Sequence, residues 1–215
     1  DCEVIVTDPI SSQLIKYLAN TYLPLRLSFV NEATRLIKDS GGNLSDVLKG
    51  VGMDSRIGSH YFRPSPAWGG SCFPKDVVEV NNFYDSNELK LPLISNIIES
   101  NNIQTNWTTR MLESIYKDKE HKGIILVGAA FKEDTDDLRN SPTIDILNQL
   151  NEMGVNTRIY DPMIESDEFL SFEALENLDT PHLVALMYPV NKTLLKKINV
   201  IVKKTKSFLY IPWQL

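Results

Sequence analysis

The chain has 215 residues, 42% of them hydrophobic and 23% charged, with a formal net charge of −6. This is a composition for one sizeable folded domain or two modest ones, and its acidic balance argues against a general binder of nucleic acid or of an anionic membrane, leaving room for a local basic pocket. No apolar run approaches the ~20 residues of a bilayer span and no signal-peptide pattern opens the chain, while two cysteines, Cys2 and Cys72, are too few for a disulfide scaffold and make a reducing cytoplasm the expected compartment.

The opening stretch, CEVIVTD, reads as a buried strand already under way in a chain that does not begin with Met, which suggests a piece of a longer protein. From Pro9 to about Lys38 the pattern predicts one long helix. Leu14, Ile15, Leu18, Tyr22, Leu25, Phe29 and Val30 recur at helical spacing as its apolar side, and Gly41-Gly42 stops it. Pro24 inside the helix predicts a local kink. At 100° per residue, Lys16, Asn20 and Asn31 fall within about 60° of one another, a polar stripe that needs either a hydrogen-bond network or a functional use. A shorter helix in NLSDVLKGVGMDS follows, then a loop over residues 57–71 rich in Pro, Gly and aromatics. Helical spacing resumes after Pro74, and a second long helix is expected from about Leu93 to Lys117, suited to an internal core or a subunit interface.

KDKEHKG, residues 117–123, reads as a charged hinge. Beyond it, strand runs GIILVG, VNTRIYD, LVALM and FLYI alternate with helical segments SPTIDILNQLNEMG and NKTLLKKINVIVKKT. Alternation of this kind implies a parallel sheet covered on both sides. The expected fold is therefore α + α/β: a helical central domain over residues 1–118, followed by a small Rossmann-like parallel-sheet domain over residues 119–215.

The stretch WGGSCFPKDV carries the candidate chemistry. Pro74 suits the first position of a helix, which puts Cys72 at that helix's positive end beside Lys75, an environment that favours thiolate. Gly69 and Gly70 leave space for a substrate to approach the sulfur. Asp76, in the first turn, could accept a proton or orient a water. His60, His121 and His182 are scattered and form no zinc-ligand spacing with the cysteines, so no metal site is expected. A cysteine hydrolase would need one of them to approach Cys72 in the fold.

GGSCFPKDV closely resembles the catalytic-cysteine motif of the UDP-glucose/GDP-mannose dehydrogenase family, NAD-dependent enzymes that oxidise a nucleotide-sugar alcohol to a carboxylate. IKYLAN, SFVNE, DSRIG and AFKEDTDDLR match further motifs in the expected order, so the resemblance spans nearly the whole chain. It implies a central helical dimerisation domain and a carboxy-terminal UDP-binding domain, with the glycine fingerprint of the NAD-binding domain outside this chain. It implies catalytic roles for Cys72, Lys16, Asn20 and Asp76, with Lys16 and Asn20 also on the substrate. Tyr61, Phe62, Arg63, Trp68 and Gly69 belong to a loop expected to wrap uridine diphosphate, its aromatics covering the base. Arg56 matches an arginine that reaches the nucleotide sugar of a partner subunit, which implies a homodimer through the helical domain. Phe131 and Lys132 match substrate contacts, while Cys72, Lys75 and Arg139 face the NAD side.

The implied chemistry removes two hydrides from C6 of the sugar, with NAD as acceptor. Cys72 captures the intermediate aldehyde as a thiohemiacetal, which becomes a thioester that water hydrolyses. UDP-glucose is the expected substrate: by resemblance DSRIG with GGSCFPKD leans that way over GDP-mannose, and Ser71 does not match the histidine common before the cysteine in the N-acetylmannosamine branch. GDP-mannose and UDP-N-acetylhexosamine dehydrogenases are the related alternatives, and a non-catalytic nucleotide-sugar-binding dimerisation module is the alternative of another class. Two departures stand out: PSPAWGG is less glycine-rich than the usual loop, and the chain ends SFLYIPWQL where relatives usually carry an Asp and an Arg that touches substrate.

Overall fold

The computed structural model describes residues 3–85 and 89–214, so Cys2 and Leu215 lie outside it. A helical region comes first: α1 (Pro9–Asp39), α2 (Leu44–Gly52), α3 (Phe73–Asp85), α4 (Pro92–Ser95) and α5 (Ile97–Asp118). The α/β region follows with β1 (Ile124–Val127), α6 (Pro142–Glu152), β2 (Thr157–Tyr160), α7 (Phe172–Glu176), β3 (Leu183–Leu186), α8 (Lys192–Thr205), β4 (Phe208–Tyr210) and a 3₁₀ turn (Pro212–Gln214).

Helix α1 starts where its chemistry dictates. Asp8 caps it by accepting the backbone N–H groups of Ile10 and Ser11, each at 3.0 Å, with Pro9 at the first helical position. The helix continues through Pro24, which supplies no N–H to the carbonyl of Asn20. Its orientation reverses the expectation. Leu14, Ile15, Leu18, Tyr22 and Phe29 are exposed, joined by Ile10 and Leu36, and these seven fall within an arc of about 140°. The buried side carries Thr21, Ser28, Asn31 and Thr34 beside Pro24, Val30 and Ile37.

The predicted second long helix is divided at Asn96, whose side-chain amide donates to the carbonyl of Pro92 at 2.7 Å and competes with helix continuation. Helix α5 is internal: Thr105, Thr108, Thr109 and Leu112 are buried, and Ile103 is its one exposed large hydrophobic residue among the described residues. The expected opening strand is absent. Residues 3–7 have no regular structure, and Val4, Ile5 and Val6 are exposed with no strand beside them.

The sheet is wholly parallel, in the order β2-β1-β3-β4. Both faces are covered. One packs Leu126, Ile146, Leu150, Ile159 and Leu183 together with Leu112 of α5; the other packs Ile125, Val127, Val184, Leu186, Leu175 and Ile198. Because Leu112 belongs to the sheet's core, the helical region and the sheet share continuous packing. The charged stretch between them is anchored: His121 is buried and the Lys122 N–H bonds the carbonyl of Pro181 at 2.8 Å. Strand order reverses between β1 and β3, the place where such sheets open a crevice at their carboxyl ends. The loop leaving β1, residues 128–141, runs from that point toward the cysteine loop.

Candidate functional site

The loop before α3 follows a fixed path because buried polar side chains of two helices hold its backbone. From α1, the Asn31 carboxamide accepts the Ser65 N–H at 2.9 Å, and Ser28 accepts the Trp68 indole N–H at 2.9 Å. From α5, Asn101 accepts the Trp68 N–H at 3.0 Å and donates to its carbonyl at 2.8 Å. Gln104 donates to the Ser65 carbonyl at 3.0 Å and Thr108 to that of Pro66 at 2.8 Å. Asn101, Gln104 and Thr108 share one face of α5 by their spacing of three and four residues. Each such bond contributes about 1 kcal/mol, and an orphaned buried partner costs more. The Asn31 end of the polar stripe is thus a loop anchor.

The other end converges on Asp76. Lys16 donates to one carboxylate oxygen at 3.0 Å and Asn20 to the other at 2.6 Å. The Asp76 side chain is 1% exposed, that of Lys16 57%. Burial pushes the Asp76 carboxyl up, but the hydrogen bonds from Asn20 and Lys16 outweigh it and hold it below the usual carboxylate range. The Lys16 ammonium is correspondingly stabilised, chiefly by its hydrogen bond to Asp76.

Cys72 is a free, exposed thiol immediately before α3, its carbonyl accepting the Asp76 N–H at 2.9 Å. The helix therefore begins at Phe73, one residue before the predicted Pro74. Beside Cys72 opens a cleft of about 760 Å³, bounded by Leu27 of α1, by the loop from Ser59 to Phe73, and by Phe131, Lys132 and Glu133 of the loop after β1. Small-molecule sites commonly have such a volume. The other depressions described on the surface are smaller, at about 290 to 400 Å³, and none contains a cysteine.

Of the predicted site residues, Tyr61, Phe62, Arg63, Trp68, Gly69, Cys72, Phe131 and Lys132 line this cleft. Lys16, Asn20 and Asp76 form a group of their own, centred one helical turn along from Cys72, and none of the three lines the cleft. Lys75 is exposed outside it. Arg56 is also outside, its guanidinium paired with Asp54 at 2.6 Å. Arg139 pairs with Asp137 at 2.7 Å, and this contact holds the Asp137 carboxyl down to about 2. No described histidine bonds Cys72; its sulfur lies 3.8 Å from the Ser71 hydroxyl.

Two expectations need correction. Trp68 is buried and committed to α1 and α5, and Phe62 is buried under Arg26, whose guanidinium lies 5.2 Å from its ring, so neither ring is free to cover a base. Tyr61, with a left-handed backbone at φ 51°, is the exposed aromatic of the loop. The second concerns Gly69 and Gly70, which make room for another part of the chain. A Cβ on Gly69 would lie 2.0 Å from the carbonyl oxygen of Asn140, and one on Gly70, at φ 97°, would lie 2.9 Å from the Phe131 ring. Asn140 donates its side-chain amide to the Gly70 carbonyl at 3.1 Å and accepts the Gly70 N–H at 3.4 Å.

Asn140 is a residue that sequence reasoning missed, as are Asp161 and Tyr188. Asp161, buried at the end of β2, accepts the N–H of Ala129 at 2.6 Å and the Tyr188 hydroxyl at 3.0 Å. It sets the start of the loop that carries Phe131 and Lys132, and it occupies backbone donors that a dinucleotide fingerprint would turn toward a pyrophosphate. Its one sequence signal is an acidic residue closing the strand run VNTRIYD.

Models of the UDP-glucose/GDP-mannose dehydrogenase family match twice: the central domain over residues 10–103 and the UDP-binding domain over residues 125–212. The UDP-glucose 6-dehydrogenase of Rickettsia conorii is 34% identical over 98% of this chain and 48% of its own length. UDP-glucose 6-dehydrogenase TuaD of Bacillus subtilis is 35% identical over 74% of this chain and 35% of its own. A solved structure of a UDP-glucose dehydrogenase from Pyrobaculum islandicum superposes with a TM-score of 0.81 at 25% identity, over 99% of this chain and 54% of that one. The chain spans about half the length or less of these relatives. It belongs to the UDP-glucose/GDP-mannose dehydrogenase family, of which it carries the central and UDP-binding regions.

Proposed function

We propose that this chain is the nucleophile-bearing and substrate-binding portion of an NAD-dependent UDP-glucose 6-dehydrogenase. The observation that carries the reading is the exposed Cys72 at a cleft that also presents Arg63 and Lys132, with the ammonium of Lys16 held on Asp76 in the helix that Cys72 precedes. The cations suit a diphosphate, and the thiol end of the cleft takes the sugar.

NAD, when bound, supplies the acceptor for the two hydrides leaving C6. The β1 turn does not fit its pyrophosphate, because Asp161 holds the Ala129 N–H. Exposed Lys75, and Arg139 once released from Asp137, would be the residues of this chain to meet it. Cys72 adds its sulfur to the C6 aldehyde, and the oxyanion of the thiohemiacetal is stabilised by the Lys16 ammonium. After oxidation to the thioester, attack by water builds negative charge at the same oxygen, and Lys16 and Asn20 meet it again. Asp76 keeps Lys16 cationic and in place. With both carboxylate oxygens engaged, its role is to orient rather than to take protons. Turnover belongs to a protein that also carries a NAD-binding domain.

The apolar side of α1 supports a homodimer. Seven large exposed hydrophobic residues in one stripe exceed what a solvated surface helix presents. The interface is assigned to α1 rather than to the helix at 97–118, and Arg56, exposed in the turn after α2, would have to exchange its pairing with Asp54 to reach a second subunit. Among the described residues no helix is long and apolar enough to cross a membrane, and the reading assigns the protein to the cytoplasm, where Cys72 stays reduced.

The test alkylates Cys72 with iodoacetamide and follows it by mass spectrometry, with and without UDP-glucose. Protection by UDP-glucose but not by GDP-mannose is expected. Equal alkylation in both cases would sink the substrate assignment. In the longer enzyme two NADH form per UDP-glucose, and Lys16→Ala lowers kcat about 100- to 1000-fold, the cost of one oxyanion donor. A non-catalytic binding module forms no NADH at all.

A further inference from the structure

Arg63 differs from the arginines around it. Arg26 donates to the carbonyls of Ile57 and Gly58, Arg56 is neutralised by Asp54 and Arg139 by Asp137. Among the described residues Arg63 has no hydrogen-bond or ion-pair partner, yet it lines the cleft. Its one contact of this kind is the indole of Trp213, whose ring centroid lies 5.4 Å from the guanidinium carbon. Trp213 sits in the 3₁₀ turn that ends the described chain. That turn is fixed from the other side: Ile211 and Trp213 pack on the sheet core formed by Leu186, Leu194 and Ile198. It also reaches the helical region, where it meets α2.

We infer that Trp213 is a positioning residue for Arg63, and that together they form one side of a diphosphate clamp whose other side is Lys132. The inference rests on the reading of the cleft as a UDP-sugar site. An exposed arginine samples many rotamers and loses that freedom when it grips an anion. Stacking on an indole face removes much of the freedom beforehand. A guanidinium held over the indole ring, as Arg63 is at 5.4 Å, forms no hydrogen bond there and keeps its N–H groups for two phosphate oxygens. A carboxylate partner would orient Arg63 equally well but would cancel the charge, as Asp54 does for Arg56. An aromatic partner orients it and keeps it cationic. The anchor comes from the sheet region while Arg63 comes from the loop before α3, so the clamp also ties the chain's end to the cysteine loop.

The test compares wild type with Trp213→Phe, Trp213→Leu and Arg63→Lys in this 215-residue chain. Trp213→Leu fills the apolar contact without a π face. Arg63→Lys leaves the Trp213 packing on the sheet intact and keeps the charge without the planar group. Two readouts are taken: ¹⁵N relaxation of the Arg63 Nε–H group without ligand, and calorimetric titration with UDP and with uridine. The expected result is a restricted Nε–H in wild type and Trp213→Phe and a mobile one in Trp213→Leu. UDP binding weakens about 3- to 10-fold in Trp213→Leu and in Arg63→Lys, while uridine binding is unchanged. The inference is overturned if Trp213→Leu leaves Arg63 ordered and UDP affinity intact. It is equally overturned if UDP and uridine weaken together, the signature of general distortion. If wild type binds no UDP, the reading of the cleft falls and the clamp's role falls with it, whereas UDP binding indifferent to Trp213 removes the clamp alone.

Discussion

Replacing Gly69 by alanine tests whether the cysteine loop is seated on the loop that leaves β1. The added Cβ would lie 2.0 Å from the Asn140 carbonyl oxygen and 2.8 Å from the Pro142 ring. Both obstacles are backbone or ring atoms, and Pro142 opens α6, so the strain cannot be relieved by a rotamer change. Separating the two loops by the ångström or more required breaks the paired bonds between Gly70 and Asn140, at 3.1 and 3.4 Å. Overpacking typically costs 1–3 kcal/mol and each hydrogen bond about 1 kcal/mol, so Gly69→Ala loses about 3–5 kcal/mol. For a chain of this size that is a fall in Tm of roughly 6–20 °C. Gly50→Ala is the matched control. Gly50 lies inside α2 with nothing within 4 Å of its added Cβ, so alanine gains about 0.5–1 kcal/mol of helix stability and Tm rises by a few degrees. Thermal unfolding followed by circular dichroism at pH 7 reads both. A Gly69→Ala protein that melts within a degree of wild type refutes the seating, and with it the coupling between Cys72 and the sheet.

The remaining predictions address the polar interior. Trp68→Phe removes the indole donor to Ser28 and leaves that hydroxyl unpaired, costing about 1–2 kcal/mol and lowering the urea midpoint. Asp76 is held below the usual carboxylate range, so its contribution is complete above about pH 4 and is lost as pH falls through the lower folded value. Asp76→Asn removes that acid-side loss, read as a flatter stability profile below pH 4. His121 is buried with both ring nitrogens unpartnered, and burial, reinforced by Lys119 and His182, pushes its pKa down. The unfolded chain takes a proton near pH 6.5 that the folded one refuses, so stability is full above that pH and declines below it. His121→Leu abolishes the decline between pH 5 and 7, and an unchanged urea midpoint profile would count against it.

Local chemistry made much of the fold legible. Asp8-Pro9, Ser141-Pro142 and Asn191 announce helix starts, and each caps its helix through its side chain. Each strand lies within the run that named it; the central strands β1 and β3 are apolar and buried throughout, whereas β2 at the sheet's edge carries Thr157 and an exposed Arg158. Asn96 was harder to read, since only the bond from its side chain to the Pro92 carbonyl distinguishes a break from a continuing helix. At the site, Cys72, Lys16, Asn20 and Asp76 could be named from spacing and motif resemblance. Asn140 and Trp213 could not: their partners are Gly70 and Arg63, 70 and 150 positions earlier in the chain, and neither pair leaves a periodic trace.

The reversal of α1 has a more general cause. Periodicity divides a helix into an apolar and a polar side, and for a helix packed inside a single chain the apolar side goes inward. That inference assumes that all burial takes place within the chain. In α1 the inward side carries the polar groups that hold the loop before α3: Asn31 accepts a backbone N–H of that loop, Ser28 accepts the Trp68 indole N–H, and Asn20, with the more exposed Lys16, holds Asp76. Helix α5 meets the same demand with Asn101, Gln104 and Thr108. A polar interior of this kind is stable only when each group is paired, and these are. The apolar side of α1 is left exposed. On the proposed reading one helix then performs two tasks on opposite faces, holding the loop that carries Cys72 and offering a dimer surface. Loss of the second subunit is expected to loosen the loop as well, measurable as faster Cys72 alkylation when Leu18→Glu in the exposed stripe yields a monomer.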